Sequence, residues 1–254
     1  MNIVFVGPFG LQPKGTVSVR ALPLARALAQ KGHTVTLLIP PWDDPARAGQ
    51  QWRDGGVQVL HTPLPPGIPL LFHILLTRAL VSAVLKLRPQ VVHFFKPKGY
   101  AGLAHVALAG LRRLGAAPFR LVLDADDWEQ AWNDVLPYSA AQKKLFVWQE
   151  NWGIRHADAV TVASRELESL AGRLRNGAGG ITYLPNGWPQ APPPAPSPED
   201  VEAVRRRWRL AGAPTVLLYS RFAEFELERI VELVRGVAEL LPGARWLVVG
   251  QGLY

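Results

Sequence analysis

The sequence predicts an open, doubly wound α/β domain followed by the beginning of a second α/β unit. Three observations lead there. Short β-branched runs alternate with longer segments of helical periodicity. Those runs are apolar almost throughout, as parallel strands covered on both faces are. A Pro-rich stretch at 188–198 then interrupts the alternation, which resumes beyond it.

The strand candidates of the first domain are Ile3–Gly7, Thr34–Pro40, Val57–His61, Val91–Phe95, Arg120–Asp124, Ala159–Ala163 and Ile181–Leu184. Between them lie helical candidates at Val17–Lys31, Leu70–Leu87, Gly99–Leu114, Ala140–His156 and Arg165–Arg175. In the first helix Val19, Leu22, Ala25, Ala27 and Leu28 approximate one apolar stripe, and Gly32 supplies its stop. After the Pro-rich stretch, Ser197 is placed to cap a helix that has Pro198 at its first position and Asp200 three residues on. A strand at Thr215–Tyr219, a helix at Glu226–Leu241 and a strand at Arg245–Val249 follow. Two parallel strands and one helix make too little core to stand alone, so this second unit reads as incomplete and the chain as a fragment.

The chain has 254 residues, 48% of them hydrophobic and 19% charged, a composition that excludes global disorder. With no Cys, a disulfide framework, a Cys-ligated zinc site and a thiol nucleophile are excluded. The net charge of +8 belongs to residues 1–198, because residues 199–254 balance eight Arg against eight Asp and Glu. Between Gly55 and Leu123 there is no carboxylate, while Arg78, Lys86, Arg88, Lys96, Lys98 and Arg112 are among the basic residues there. Such a region points to phosphates or an anionic lipid surface. No recognised nucleic-acid module is present, so nucleic acid is not an expected partner. The apolar run Ile68–Leu87 is interrupted by His73, Arg78 and Ser82, which favours a helix packed on a sheet over a membrane span.

Ligands of open α/β sheets bind beyond the carboxyl ends of the strands, so the loops there hold the candidate site residues. The first is Gly7-Pro8-Phe9-Gly10-Leu11-Gln12-Pro13-Lys14-Gly15-Thr16, where glycines, a lysine and a following helix N-terminus suit an anion. Its spacing fits neither dinucleotide nor P-loop patterns, and Pro40-Pro41-Trp42 stands where an NAD-binding acid is expected. The second is Lys96-Pro97-Lys98-Gly99-Tyr100, with two cations for a phosphate. The third is Asp124-Ala125-Asp126-Asp127-Trp128-Glu129, four carboxylates that need a cation or protein donors to ionise together. Three readings of it stay open: a metal site, a base or sugar-orienting group with Trp128 and Trp132 as stacking surfaces, and a structural helix cap.

Several motifs, taken in order, resemble family-4-type GT-B glycosyltransferases. Leu24-Ala25-Arg26-Ala27-Leu28 with Gly32-His33-Thr34-Val35 resembles their opening, and Pro185-Asn186-Gly187 the end of their first domain. Leu218-Tyr219-Ser220-Arg221-Phe222 and Val248-Val249-Gly250-Gln251-Gly252 resemble the start of the second. The resemblance implies a GT-B-like architecture: a Rossmann-like acceptor domain at 1–187, a linker at 188–198, and the beginning of a nucleotide-sugar domain at 199–254. It implies a retaining, metal-independent transfer from a nucleotide-sugar co-substrate, with no other cofactor. Carried over by position, Asp126 and Asp127 are catalytic, and Gly10, Lys14, Gly15, Arg221 and Gly250 bind the donor. Lys96, Lys98, Tyr100 and Trp128 are expected to bind the acceptor. That acceptor is a sugar, lipid-linked or phosphorylated, and the protein is expected in the cytoplasm, peripheral at the inner face of the membrane. The sequence departs from the family in three ways: Asp126 takes the place of a His, the Lys expected shortly after Arg221 is replaced by Ala223, Glu224, Phe225 and Glu226, and the family's E-x-x-x-x-x-x-x-E segment, which grips the nucleotide-sugar, is expected beyond Tyr254. A non-catalytic acceptor- or membrane-binding module and a sugar-nucleotide epimerase of the same architecture are the alternatives.

Overall fold

The structure is a computed structural model that describes residues 1–11, 15–68, 71–115, 118–187, 194–220, 222 and 225–250. The chain divides into two compact units, Met1–Pro189 and Gln190–Tyr254.

The first unit runs β1 (Asn2–Val6), α1 (Leu22–Gln30), β2 (Thr34–Ile39), β3 (Gln51–Asp54), β4 (Val57–His61), α2 (Leu71–Leu87), β5 (Val91–Phe95) and α3 (Gly99–Arg113). It continues with β6 (Arg120–Ala125), α4 (Glu129–Val135), α5 (Ala140–His156), β7 (Ala159–Val162), α6 (Arg165–Leu174) and β8 (Ile181–Tyr183). The eight strands form one sheet in the order β3-β4-β2-β1-β5-β6-β7-β8, parallel except where β3 pairs antiparallel with β4. From β1 the chain builds outward first through β2 and β4, then on the other side through β5 to β8. That reversal opens a crevice at the carboxyl ends of β1 and β5.

Both faces of the sheet are covered at its centre, which is why β1, β2, β5 and β6 are apolar over most of their length. Val4 and Val6 point into a core closed by α2, α3, α5 and α6, whereas Ile3 and Phe5 point into a second core closed by α1. Each fully buried side chain of this size contributes about 1.5–3 kcal/mol.

Two expected elements differ in detail. The helix foreseen at Val17–Lys31 begins as a π-helical turn, Val17–Ala21, before α1. The wider turn rotates the apolar stripe: Val17, Ala21, Leu22 and Ala25 are buried, while Val19 and Ala27 face solvent. The hairpin β3–β4 was not foreseen, because β3 alternates exposed and half-buried residues and carries Arg53 and Asp54. Gly55 and Gly56, both at positive φ, make its turn. The short helix α4 was also not foreseen. The first residue of α2 as foreseen, Leu70, lies outside the described residues.

The second unit holds α7 (Pro198–Arg207), β9 (Thr215–Tyr219), α8 (Leu227–Leu240) and β10 (Arg245–Val249), with β9 and β10 paired in parallel. Ser197 caps α7 as its sequence foretold: its hydroxyl accepts from the Asp200 amide at 3.1 Å, and Asp200 accepts from the Ser197 amide at 3.2 Å. Part of the Pro-rich stretch, residues 188–193, lies outside the described residues. Among the described residues no helix is long and apolar enough to cross a membrane.

Candidate active site

The loops after β5 and β6 meet at the crevice. Asp124, the last acidic residue within β6, is fully buried and needs a counter-charge. Arg20, in the π-helical turn, supplies it: Nε donates to Oδ2 at 2.6 Å and an Nη to Oδ1 at 2.7 Å. The same guanidinium donates to the Asn186 side chain and the Leu184 carbonyl, each at 2.9 Å. Thr161 on β7 also donates to Asp124. Burial opposes the charge on Arg20, but the hydrogen bond and charge of Asp124 outweigh it and raise its pKa.

Beyond Asp124 the remaining carboxylates gather around Lys96. Its Nζ lies 3.3 Å from Asp126 Oδ1, 2.5 Å from Asp127 Oδ2 and 3.1 Å from Glu129 Oε1. To bring its side chain there the Lys96 backbone takes φ +61°, a left-handed conformation uncommon for a residue with a Cβ. Its amide also donates to the Asp124 carbonyl at 3.1 Å, which ties the two loops together. Lys98 pairs with the other oxygen of Glu129. Burial opposes the ammonium charge of Lys96, yet Asp126, Glu129 and Asp127 together hold its pKa above the ordinary lysine value. Asp126 is pushed up to about 6, mainly by burial, with Lys96 pulling the other way.

Glu150 on α5 supports this loop from behind. Its two carboxylate oxygens accept from the amides of Glu129 and Gln130 at 2.9 and 3.0 Å, capping α4 from a distant part of the chain. Burial raises its pKa to about 7. Gln149 does the same for the lysine loop, accepting from the Gly99 amide at 2.9 Å and donating to the Gly99 carbonyl at 3.1 Å.

Asp126, Asp127 and Glu129 each offer an oxygen within 4.8 Å of the others, a spacing that suits a metal ion. The Lys96 ammonium already stands at the position such an ion would take. The clustered carboxylates are therefore held by protein donors, one of the two conditions their proximity demanded. Lys96 and Lys98, singled out for an external phosphate, are turned toward internal carboxylates.

Of the other expected site residues, Tyr100, Trp128, Gly10 and Gly15 also lie in connections after strands of the first unit's sheet. Tyr100 is buried and shares a hydrogen bond of 2.8 Å with His73 Nδ1. Its ring packs between Trp42 and Phe72, at centroid distances of 6.3 and 6.4 Å. Trp128 is 43% exposed beside the carboxylates, available as a stacking surface. Gly10 donates its amide to Asp43 Oδ1 at 3.0 Å, and the Gly15 carbonyl starts the helical turn by accepting from Val19 at 2.8 Å. Gly250 sits at φ +148° against the Ser220 carbonyl, where a Cβ would collide with backbone. Lys14 and Arg221 lie outside the described residues.

Sequence reasoning missed Arg20, Glu150 and Gln149. Arg20 was legible in part, since a lone arginine inside an apolar helical stripe demands a buried partner. Nothing local marks Glu150 or Gln149, whose partners are 20 and 50 residues away.

The architecture is that of a Rossmann-like α/β domain with a crevice at the carboxyl ends of its strands. Residues 15–187 match the family described as Glycosyl transferase 4-like domain, and the chain belongs to it. The structure is similar in fold to sucrose-phosphate synthase from Thermosynechococcus elongatus, with 18% identity, a TM-score of 0.60, and coverage of 98% of this chain and 62% of that one. It is similar to HepE of Anabaena, solved in complex with UDP, with 17% identity, a TM-score of 0.60, and coverage of 100% and 62%. The lipopolysaccharide outer core galactosyltransferase WaaB gives 11% identity, a TM-score of 0.59, and coverage of 100% and 62%. At such identities the likeness is one of fold, that of GT-B glycosyltransferases. The chain spans about 62% of these solved proteins. None of the curated proteins matches it in sequence.

Proposed function

We propose that the first unit is the acceptor-side part of a retaining glycosyltransferase that takes a sugar from a nucleotide-sugar and needs no metal for catalysis. The observation that carries this reading is the Lys96-centred carboxylate cluster at the crevice, in a chain that belongs to the Glycosyl transferase 4-like family. In the reaction the bond from the anomeric carbon to the diphosphate breaks. A bond from the acceptor hydroxyl oxygen forms on the same face, and the hydroxyl proton passes to the departing phosphate oxygen.

Asp126 and Asp127 face the reacting sugar. Asp126 is an anion above about pH 6 and accepts hydrogen bonds from sugar hydroxyls; Lys96 keeps both carboxylates in place. Gly10, Lys14 and Gly15 shape the loop after β1 for the donor diphosphate, and Arg221 and Gly250 serve the donor from the second unit. Trp128 offers an exposed ring face to the acceptor, while Tyr100, packed against Trp42, Phe72 and His73, and Lys96 and Lys98, paired with the carboxylates, shape the acceptor side from beneath. HepE, with its bound UDP, supports a uridine nucleotide as the first donor to try.

The test is calorimetry and product analysis of the full-length protein, first and second domains together, with UDP-, GDP- and ADP-hexoses, and with sugar phosphates and polyprenyl-linked sugars as acceptors. Nucleotide-sugar binding with sugar transfer is the expected result, and Asp127→Asn is expected to abolish transfer while sparing donor binding. An epimerised nucleotide-sugar as product would replace transfer by epimerisation. Absence of binding by every donor would sink the reading.

A further inference from the structure

Resting on the reading of the crevice as the transfer site, we propose that the adjacent residues Gln149 and Glu150 on α5 are positioning residues that clamp the lysine loop and the carboxylate loop in register. Neighbouring residues of a helix point about 100° apart, so one turn can reach two different partners. Gln149 reaches the first residue of α3, accepting from the Gly99 amide at 2.9 Å and donating to the Gly99 carbonyl at 3.1 Å. Glu150 reaches the first two residues of α4, with one oxygen for the Glu129 amide and the other for the Gln130 amide. Both side chains are buried. Where only a helix end needs satisfying, this chain uses a local serine: Ser139, Ser164 and Ser197 cap α5, α6 and α7. The two helices that open at the crevice are built otherwise. Lys98 and Trp128, at the N-caps of α3 and α4, make no side-chain cap. Both caps have been moved onto one helix, at the cost of burying a carboxylate.

That helix is a fixed base. It packs against both α3 and α4. A Cβ on its Gly153 would fall 3.1 Å from Leu123 Cδ2 of β6, so the helix lies close on the sheet. Gly102 of α3 admits the Gln149 side chain: a Cβ there would fall 2.9 Å from Gln149 Cδ and 3.1 Å from the Pro97 carbonyl oxygen. On the crevice side, Lys96 and Lys98 join the same two loops through Glu129. A lysine stem has four rotatable bonds and holds a charge without fixing a backbone. The hydrogen bonds from α5 fix the backbone itself. Asp126 and Asp127 stand just ahead of α4, so their aim into the crevice follows its first turn. Losing either hold lets lysines and carboxylates drift out of register, and a transfer site depends on such placement.

The experiment compares Glu150→Gln and Gln149→Met with the unaltered full-length protein. Both substitutions keep the side-chain volume. Glu150→Gln leaves one acceptor for two amides, and Gln149→Met removes both bonds to Gly99. Amide hydrogen exchange without substrate is the first readout. Glu150→Gln is expected to speed exchange at Glu129 and Gln130 by about tenfold or more and at Gly99 by about threefold, with β1 unchanged. Gln149→Met is expected to act on the same amides in the opposite order. Faster exchange confined to the loop whose cap was removed, or spread to β1 in both variants, would overturn the proposal. Transfer kinetics are the second readout. In each variant kcat is expected to fall about tenfold, with KM for the nucleotide-sugar within about twofold of the unaltered value. An unchanged kcat beside a lowered melting temperature would make the pair merely structural and overturn the proposal. Absence of transfer by the unaltered protein would sink the functional reading, and the exchange measurement, which contains no sugar, would still decide the clamp.

Discussion

Arg20 and Asp124 stand 104 residues apart in the chain and meet in a buried pair through two hydrogen bonds, of 2.6 and 2.7 Å. Removing either partner strands the other charge where water does not reach. Arg20→Ala and Asp124→Ala are each expected to destabilise the fold by about 3–5 kcal/mol, read by urea denaturation. Arg20→Lys is expected to rescue little, because one ammonium cannot span both oxygens, Asn186 and Leu184 together.

Lys96→Met is expected to leave Asp126, Asp127 and Glu129 with too little positive charge nearby. The variant should unfold at lower temperature and recover part of the loss when Ca²⁺ is added, an effect the unaltered protein should lack. Thermal melts with and without the ion check this, and a Ca²⁺ response shared equally by both proteins would refute the role given to the ammonium.

Transfer activity is expected to follow Asp126. Its carboxyl is raised to about 6, so activity should fall as pH drops through 6 and protonates it. A pH–rate profile of Asp126→Asn should be lower at neutral pH and lack that acidic limb.

His93 and His105, buried as His61 is, make the fold acid-sensitive. Burial lowers His93 to about 4 and His105 to about 3. Both are depressed below the unfolded value of 6.5, so the unfolded chain binds more protons and stability falls as pH drops below 6.5. The slope is about 1.4 kcal/mol per pH unit for each histidine, down to its folded value. His105 stacks on Phe94 at 4.7 Å, so His105→Phe should keep the packing and remove one proton's worth of the slope in denaturation measured across this range.

Gly7 closes β1 against two neighbours. A Cβ there would fall 2.7 Å from Ile39 Cγ2 and 3.1 Å from Val17 Cγ2, and Val17 and Ile39 are both fully buried. Gly7→Ala is expected to cost about 1–3 kcal/mol of stability by overpacking, measured by denaturation.

What the sequence made legible follows from where the determining forces lie. The parallel strands of the first unit were readable because burial on both faces leaves a nearly unbroken apolar run, as in Ile3–Val6. The cap at Ser197 was readable because both partners sit within three residues. The phase of the stripe at α1 was not, because a π-helical turn inserts a rotation that no local residue announces. Helix α4 was hidden for a different reason: its first amides are satisfied by Glu150, from another helix. The carboxylate loop was recognised as needing a cation, and Lys96 was noticed as a cation, but the two were assigned to different partners. Only the pairing of β5 beside β6 joins them.

The Arg20 guanidinium reaches Asn186, 166 positions onward, and the Leu184 carbonyl beside it. A ribosome therefore releases the first helix long before the residues that complete its contacts exist. Until the last strand of the unit emerges, the growing chain holds a buried arginine partly satisfied and an open sheet edge at β7. Closure is thus a late event of synthesis, and nascent chains stopped short of Leu184 are the ones expected to need chaperones.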